Sequence, residues 1–92
     1  MGYHNLGALY YKKAENDKAI ENCLKALELK PNFFKSAEIV CAIYYIEQKN
    51  DLSKKYYQIA ITNGSTKDRI KKILNEYRKI EIYGQDEFFD QD

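Results

Sequence analysis

Residues 3–31 read YHNLGALYYKKAENDKAIENCLKALELKP. Tyr3, Leu6, Gly7 and Tyr10 recur at steps of three and four, which places them on one face of a helix. The spacing predicts a first helix over about residues 2–13. Gly7 in its middle costs about 1 kcal/mol relative to alanine, a cost accepted where a neighbouring helix must approach closely. Ala14-Glu15-Asn16-Asp17 interrupts the pattern as a turn. Asn16 or Asp17 is suited to cap the next helix, because a short side-chain oxygen accepts from the free amides of a first turn. Ala19, Ile20, Cys23, Leu24, Ala26 and Leu27 then form a broad apolar face over about residues 17–29. Pro31, the single proline of the chain, ends it, since a residue before proline is pushed out of helical angles.

The rest of the chain continues in the same manner. Asn32 is placed to cap a third helix over about residues 33–47, whose Phe34, Ala37, Ile39, Val40, Cys41, Ile43, Tyr44 and Ile46 make it apolar nearly all round. Such a helix is expected between others. After Lys49-Asn50-Asp51, a fourth helix of about residues 51–62 carries Leu52, Tyr56, Tyr57, Ile59, Ala60 and Ile61, and Asn63-Gly64 stops it. Ser65 or Thr66 opens a fifth helix over about residues 66–83, with Ile70, Ile73, Leu74, Tyr77 and Ile80 on one stripe. Residues 84–92, GQDEFFDQD, form an acidic tail that breaks the helical pattern.

A shift of 34 residues lays the chain on itself: Ala8 meets Ala42, Tyr10-Tyr11 meets Tyr44-Tyr45, Asn16-Asp17 meets Asn50-Asp51, and Ala26 meets Ala60. A helix–turn–helix unit at this period marks an α-solenoid. The residues resemble the tetratricopeptide repeat, whose pattern is W-x2-L-G-x2-Y, A-x3-F, a second alanine and a closing proline. Repeat one supplies Tyr3, Leu6, Gly7, Tyr10, Ala19, Ala26 and Pro31, with Cys23 where phenylalanine is common. Repeat two is worn: Tyr44, Tyr57 and Ala60 fit, Cys41 and Ser53 are small replacements, and Ser65 loses the proline. The resemblance implies an all-α fold, a short right-handed α-solenoid of two helix–turn–helix repeats (1–33 and 34–65) and a closing helix (66–83), then the tail (84–92).

Composition narrows the function. The formal net charge of +1 gives no global attraction for nucleic acid or an acidic membrane. No apolar run approaches the roughly 20 residues of a transmembrane helix. The start lacks a signal-peptide layout, and two cysteines without a CxxC pair fit a reducing, cytoplasmic setting. The single histidine, His4, has no nucleophile or carboxylate pair near it in sequence. Neither a zinc ligand set nor a glycine-rich phosphate loop is present. No enzyme, cofactor or metal is expected. Cys23 and Cys41 read as buried small thiols that could face each other between the repeats.

The resemblance implies a protein–protein interaction module whose first helices line a concave, peptide-binding groove. By position that groove would show His4, Asn5, Ala8, Tyr11 and Lys12 from repeat one. Repeat two would add Lys35, Glu38, Ile39, Ala42, Tyr45 and Ile46, and the closing helix Arg69, Lys72, Ile73 and Glu76. Tyr11 and Tyr45, at equivalent places, are expected as apolar anchors, and Tyr10 and Tyr44 as core. Lys12, Lys35, Arg69 and Lys72 would favour acidic ligands. The clamp by which one subgroup holds chaperone tails is mostly missing, since Ala8, Ile39 and Ile73 stand at three of its places. Two repeats fall short of the roughly three that such arrays need, so either a marginal monomer or self-association through the first helix is expected. A different reading makes the chain the repeat segment of a larger enzyme or regulator. A weaker one has the closing helix, with six basic and three acidic residues over 66–83, touching nucleic acid. The Phe88-Phe89 pair in the acidic tail reads as a docking element for a basic and apolar surface.

Overall fold

The computed structural model describes residues 2–78, and these form five helices: α1 (Tyr3–Lys12), α2 (Asn16–Leu29), α3 (Phe34–Ile46), α4 (Asn50–Thr62) and α5 (Lys67–Arg78). No strand occurs among the described residues. The expected last turns of the closing helix, the acidic tail and its Phe88-Phe89 pair lie outside the described residues. The two hairpins α1–α2 and α3–α4 and the closing helix α5 give the all-α helical-repeat architecture expected from the sequence.

The turns show the 34-residue period in their backbone. After α1, the Glu15 amide donates to the Tyr10 carbonyl at 2.9 Å and the Ala14 amide to Tyr11 at 3.0 Å. After α3, Lys49 donates to Tyr44 at 2.9 Å and Gln48 to Tyr45 at 3.1 Å. This six-to-one and five-to-two pairing is a Schellman ending, which needs a left-handed residue just past the helix. Ala14 and Gln48 both sit there at φ 62°. Gly64 takes the same role after α4 at φ 119°, with Ser65 donating to Ala60 at 2.9 Å. The capping expectations divide. Asn16, Asp17 and Asn32 do not cap: the residues before α2 and α3 are Glu15 and Phe33, and neither makes a side-chain capping bond. The Schellman endings draw the chain so tightly into α2 and α4 that Asn16 and Asn50 already lie inside them. Thr66 does cap α5, its Oγ1 accepting from the Arg69 amide at 3.2 Å.

α3 is the centre of the packing, and every residue from Ser36 to Ile43 is buried. It lies against α2, α1, α4 and α5, as an almost uniformly apolar helix must. α1 and α2 meet at Gly7, where a Cβ would stand 2.4 Å from Cys23 Sγ. Glycine is required there by the approach of α2. The cysteines do not pair with each other. Cys23 shares a hydrogen bond with Ser36, and Cys41 Sγ lies 3.5 Å from Ser53 Oγ. Both are free, buried thiols, and burial pushes each up to about 12.

The tyrosine assignment fails at Tyr11, and Tyr44 and Tyr45 are half-buried alike. Tyr11 is 1% exposed, whereas Tyr10 and Tyr44 are half-buried at the edge of the core. Tyr10 carries Lys18 over its ring at 5.5 Å, and Tyr44 tilts against Tyr56 at 5.9 Å. The cause is α5. A closing helix stacked as the next first helix would lie on α3 and α4, as α3 lies on α1 and α2. The main neighbours of α5 are instead α3 and α1. It crosses from the second hairpin back to the first and buries Ile70 and Leu74 in the shared core, covering Tyr11.

Gly7→Ala should destabilise the protein by about 1–2 kcal/mol, because overpacking outweighs the gain in helix propensity. Urea unfolding measures it. In a Cys23→Ala background, which removes the Sγ that the new methyl would meet, the same substitution should cost clearly less.

Candidate functional site

The inner faces of α1, α3 and α5 enclose a cleft of about 250 Å³ lined by His4, Ala8, Tyr11, Lys12, Lys35, Glu38, Ile39, Arg69 and Ile73. Its walls are fixed by two polar joints. Glu38, on the first turns of α3, is 1% exposed. Arg69 of α5 holds its carboxylate with two donors, Nε to Oε2 at 2.7 Å and Nη2 to Oε1 at 3.2 Å. The Ser65 hydroxyl donates to Oε2 as well. A forked guanidinium suits this two-point contact in a way that an ammonium does not. The pairing with Glu38 raises the Arg69 guanidinium still further above its ordinary value, so it stays charged. The same guanidinium lies 5.2 Å from the Phe34 ring.

The second joint closes the other end. Arg78 stacks on the Tyr11 ring at 4.3 Å and donates from Nε to the Tyr11 carbonyl at 2.8 Å. Its Nη2 donates to Asn16 Oδ1. A cation is favoured at this point, because the last carbonyls of α1 carry the negative end of the helix dipole. The Tyr11 hydroxyl donates to the Ile73 carbonyl at 3.3 Å, and burial pushes its phenol well above the ordinary value. Asn16 therefore serves as a partner for Arg78, not as a helix cap. Two of the basic residues on α5 are spent on these joints, which weakens the reading of that helix as a nucleic-acid surface.

The cleft itself combines an apolar floor with a charged rim. Ala8, Ile39 and Ile73 form the floor. Lys12, Lys35 and Arg69 stand around it against the single carboxylate of Glu38. His4 closes one side, its Nδ1 2.9 Å from Ser36 Oγ and its ring edge-on to Phe33 at 4.9 Å. Burial, then the charge of Lys35, lowers the imidazole below its ordinary value, with Glu38 opposing.

Of the groove residues expected from sequence, the fold gathers His4, Ala8, Tyr11, Lys12, Lys35, Glu38, Ile39, Arg69 and Ile73 around this cleft. Tyr11 is buried beneath the floor and cannot protrude as an anchor. Ala42 is fully buried, in the same core cluster as Ile70 and Leu74 of α5, and presents no surface. Asn5 is exposed outside the cleft, Tyr45 and Ile46 are half-buried outside it, and Lys72 is exposed with its ammonium 3.8 Å from Glu76.

A second depression, of about 440 Å³, lies on the opposite side between α2 and α4 and is lined by Leu24, Leu27, Glu28, Pro31, Lys55, Tyr56 and Ile59. Helical periodicity alone assigns its apolar members to the core. The depression arises because α2 and α4 flank α3 without packing closely on each other, a relation that no local pattern encodes. Among the described residues no group of three or more His, Cys, Asp or Glu could hold a metal ion. None of the described helices is long and apolar enough to cross a membrane.

Residues 1–33, which contain α1 and α2, match the family model of the tetratricopeptide repeat. The first hairpin is a tetratricopeptide repeat. Neither curated proteins nor solved structures give a significant match to the chain. Tetratricopeptide repeats generally mediate protein–protein interaction and are typically non-catalytic. The second hairpin keeps the turn geometry of the first, with Gln48 reproducing the left-handed backbone of Ala14.

His4 supplies a pH test of this geometry. Its folded-state value lies below the unfolded 6.5, so the unfolded chain binds the proton more readily. The contribution to stability is full above pH 6.5 and is lost as pH falls from there through the lowered value. The imidazole should titrate below 6.5 by NMR, and His4→Gln should flatten the stability profile across that window.

Proposed function

We propose that the chain is a binding module that holds a short acidic peptide in the cleft between α1, α3 and α5. The observation that carries this reading is the charge arrangement. Among the described residues Lys12, Lys35 and Arg69 stand with one carboxylate, Glu38, around an apolar floor, and Glu38 and Arg69 neutralise each other, so the lining keeps an excess of positive charge. The cleft is smaller than the roughly 300–1,000 Å³ of a typical small-molecule site. It suits one or two side chains of an extended segment, with the rest of the peptide lying along the rim. Ala8, Ile39 and Ile73 receive an apolar side chain, and Lys35 receives a flanking carboxylate. Recognition is static, because both joints of α5 are already made before any ligand arrives.

The mechanism differs from one in which two tyrosines reach into an open groove. α5 covers much of the inner face, so the ligand is limited to the end where Lys35 and His4 open to solvent. Charge selects the ligand, while the apolar floor fixes its register. Such contacts are screened by salt, and the affinity should fall as ionic strength rises.

Fluorescence polarisation with a labelled DDFEDD peptide tests the reading, with NNFQNN as its uncharged counterpart. The acidic peptide should bind and the neutral one should not. Lys35→Glu should weaken binding about tenfold, equivalent to about 1.4 kcal/mol. Lys54→Glu, the same charge change on exposed α4, should leave it unaltered. Binding indifferent to both salt and Lys35→Glu would remove the cleft from the account.

A further inference from the structure

We infer that the chain's own acidic tail occupies this cleft, as an internal competitor for the acidic peptides it binds. The inference rests on the reading of the cleft as an acidic-peptide site and says what fills it when no partner is present. Three observations lead to it. The first is where the described chain stops. α5 ends at Arg78, whose guanidinium rests on Tyr11 at 4.3 Å, and Tyr11 and Lys12 both line the cleft. The described chain therefore ends against Tyr11, one of the residues that line the cleft.

The second is length. Asp86 to Asp90 lie eight to twelve residues beyond Arg78, a reach of at most about 26–40 Å for extended chain and of about 17–31 Å with the helical pattern running to residue 83. The way back along α5 from Arg78 to Arg69 is about 14 Å, so the tail can reach the cleft in either case.

The third is chemistry. The tail reads Asp86-Glu87-Phe88-Phe89-Asp90, an aromatic pair between carboxylates. The cleft offers the complement, an apolar floor of Ala8, Ile39 and Ile73 beside the ammonium of Lys35, while the Arg69 guanidinium is already held by Glu38. The larger depression between α2 and α4 also has an apolar lining, but its one cation, Lys55, is matched by Glu28. Reach permits either location, and charge chooses the inner one.

Tethering makes even weak docking effective, because a covalently attached segment that can reach its site meets it at an effective concentration in about the millimolar range. A tail docked about 70–90% of the time lowers the apparent affinity for an outside peptide about three- to tenfold. The cleft would then answer only to partners that out-compete the tail.

The chain has no tryptophan, so Phe88→Trp places a single reporter in these 92 residues. At low salt its emission should be blue-shifted and shielded from acrylamide, and unchanged on dilution. High salt or an added Lys35→Glu should shift it to the emission of a water-exposed indole. In the full chain without the reporter, Asp86→Asn/Glu87→Gln/Asp90→Asn should raise the affinity for labelled DDFEDD by about three- to tenfold. An indole exposed under every condition overturns the inference. So does shielding that ignores Lys35→Glu, which would place the tail in the α2–α4 depression, or shielding lost on dilution, which would assign it to a second copy. DDFEDD bound by the tail-neutralised chain, together with an exposed indole, sinks this inference and leaves the cleft reading intact. No binding of DDFEDD to either chain removes both.

Discussion

The carboxylate of Glu38 is the constraint on which the inner face depends. It is almost wholly withdrawn from water, and an uncompensated charge there would cost several kcal/mol. Arg69 supplies the counter-charge in a two-point grip, and Ser65 satisfies the carboxylate further. Because Arg69 sits on the first turn of α5, meeting the demand of Glu38 fixes where that helix begins. Arg69 remains 46% exposed, so solvent screens its side of the pair. The cost of losing it should fall toward the lower part of the roughly 3–5 kcal/mol seen when buried pairs are broken.

Once α5 is pinned at its start, its apolar stripe decides the rest. Ile70 and Leu74 enter the core, the Ile73 carbonyl accepts from Tyr11, and Arg78 reaches the end of α1. A helix that could have extended the array is thereby turned across the two first helices. It ties the hairpins together and gives a short array closure between its ends, beyond contacts between neighbours alone. The same crossing divides the inner face. The part near Ala42 is sealed, and the part near Lys35 stays open with its cations at the rim. Stability and the shape of the candidate site thus have one origin.

Much of this is legible in the residues. Pro31 and Gly64 end helices where local stereochemistry requires, and the uniform apolarity of α3 foretells its central place. Gly7 announces a close approach, and Cys23 Sγ is what approaches. The departures share a cause. Of the adjacent tyrosines, the repeat pattern turns Tyr11 outward because it knows only the neighbours that a regular array provides, and here α5 is an added one. By pattern the charges of α5 form a solvated face, yet Arg69 and Arg78 bind partners 31 and 67 residues away in sequence. Side-chain capping at Asn16 loses to a Schellman turn that satisfies the same region through backbone bonds.

Fold and candidate site alike depend on α5 lying across α3 and α1. Nuclear Overhauser contacts of the Tyr11 ring in the full-length protein read this directly, since few other groups in the fold share its surroundings. Contacts from that ring to the Arg78 side-chain methylenes and to Ile73 are the predicted result. A Tyr11 ring without either contact, in a chain where α5 instead shows contacts to Tyr57 and Ile61 of α4, would contradict it.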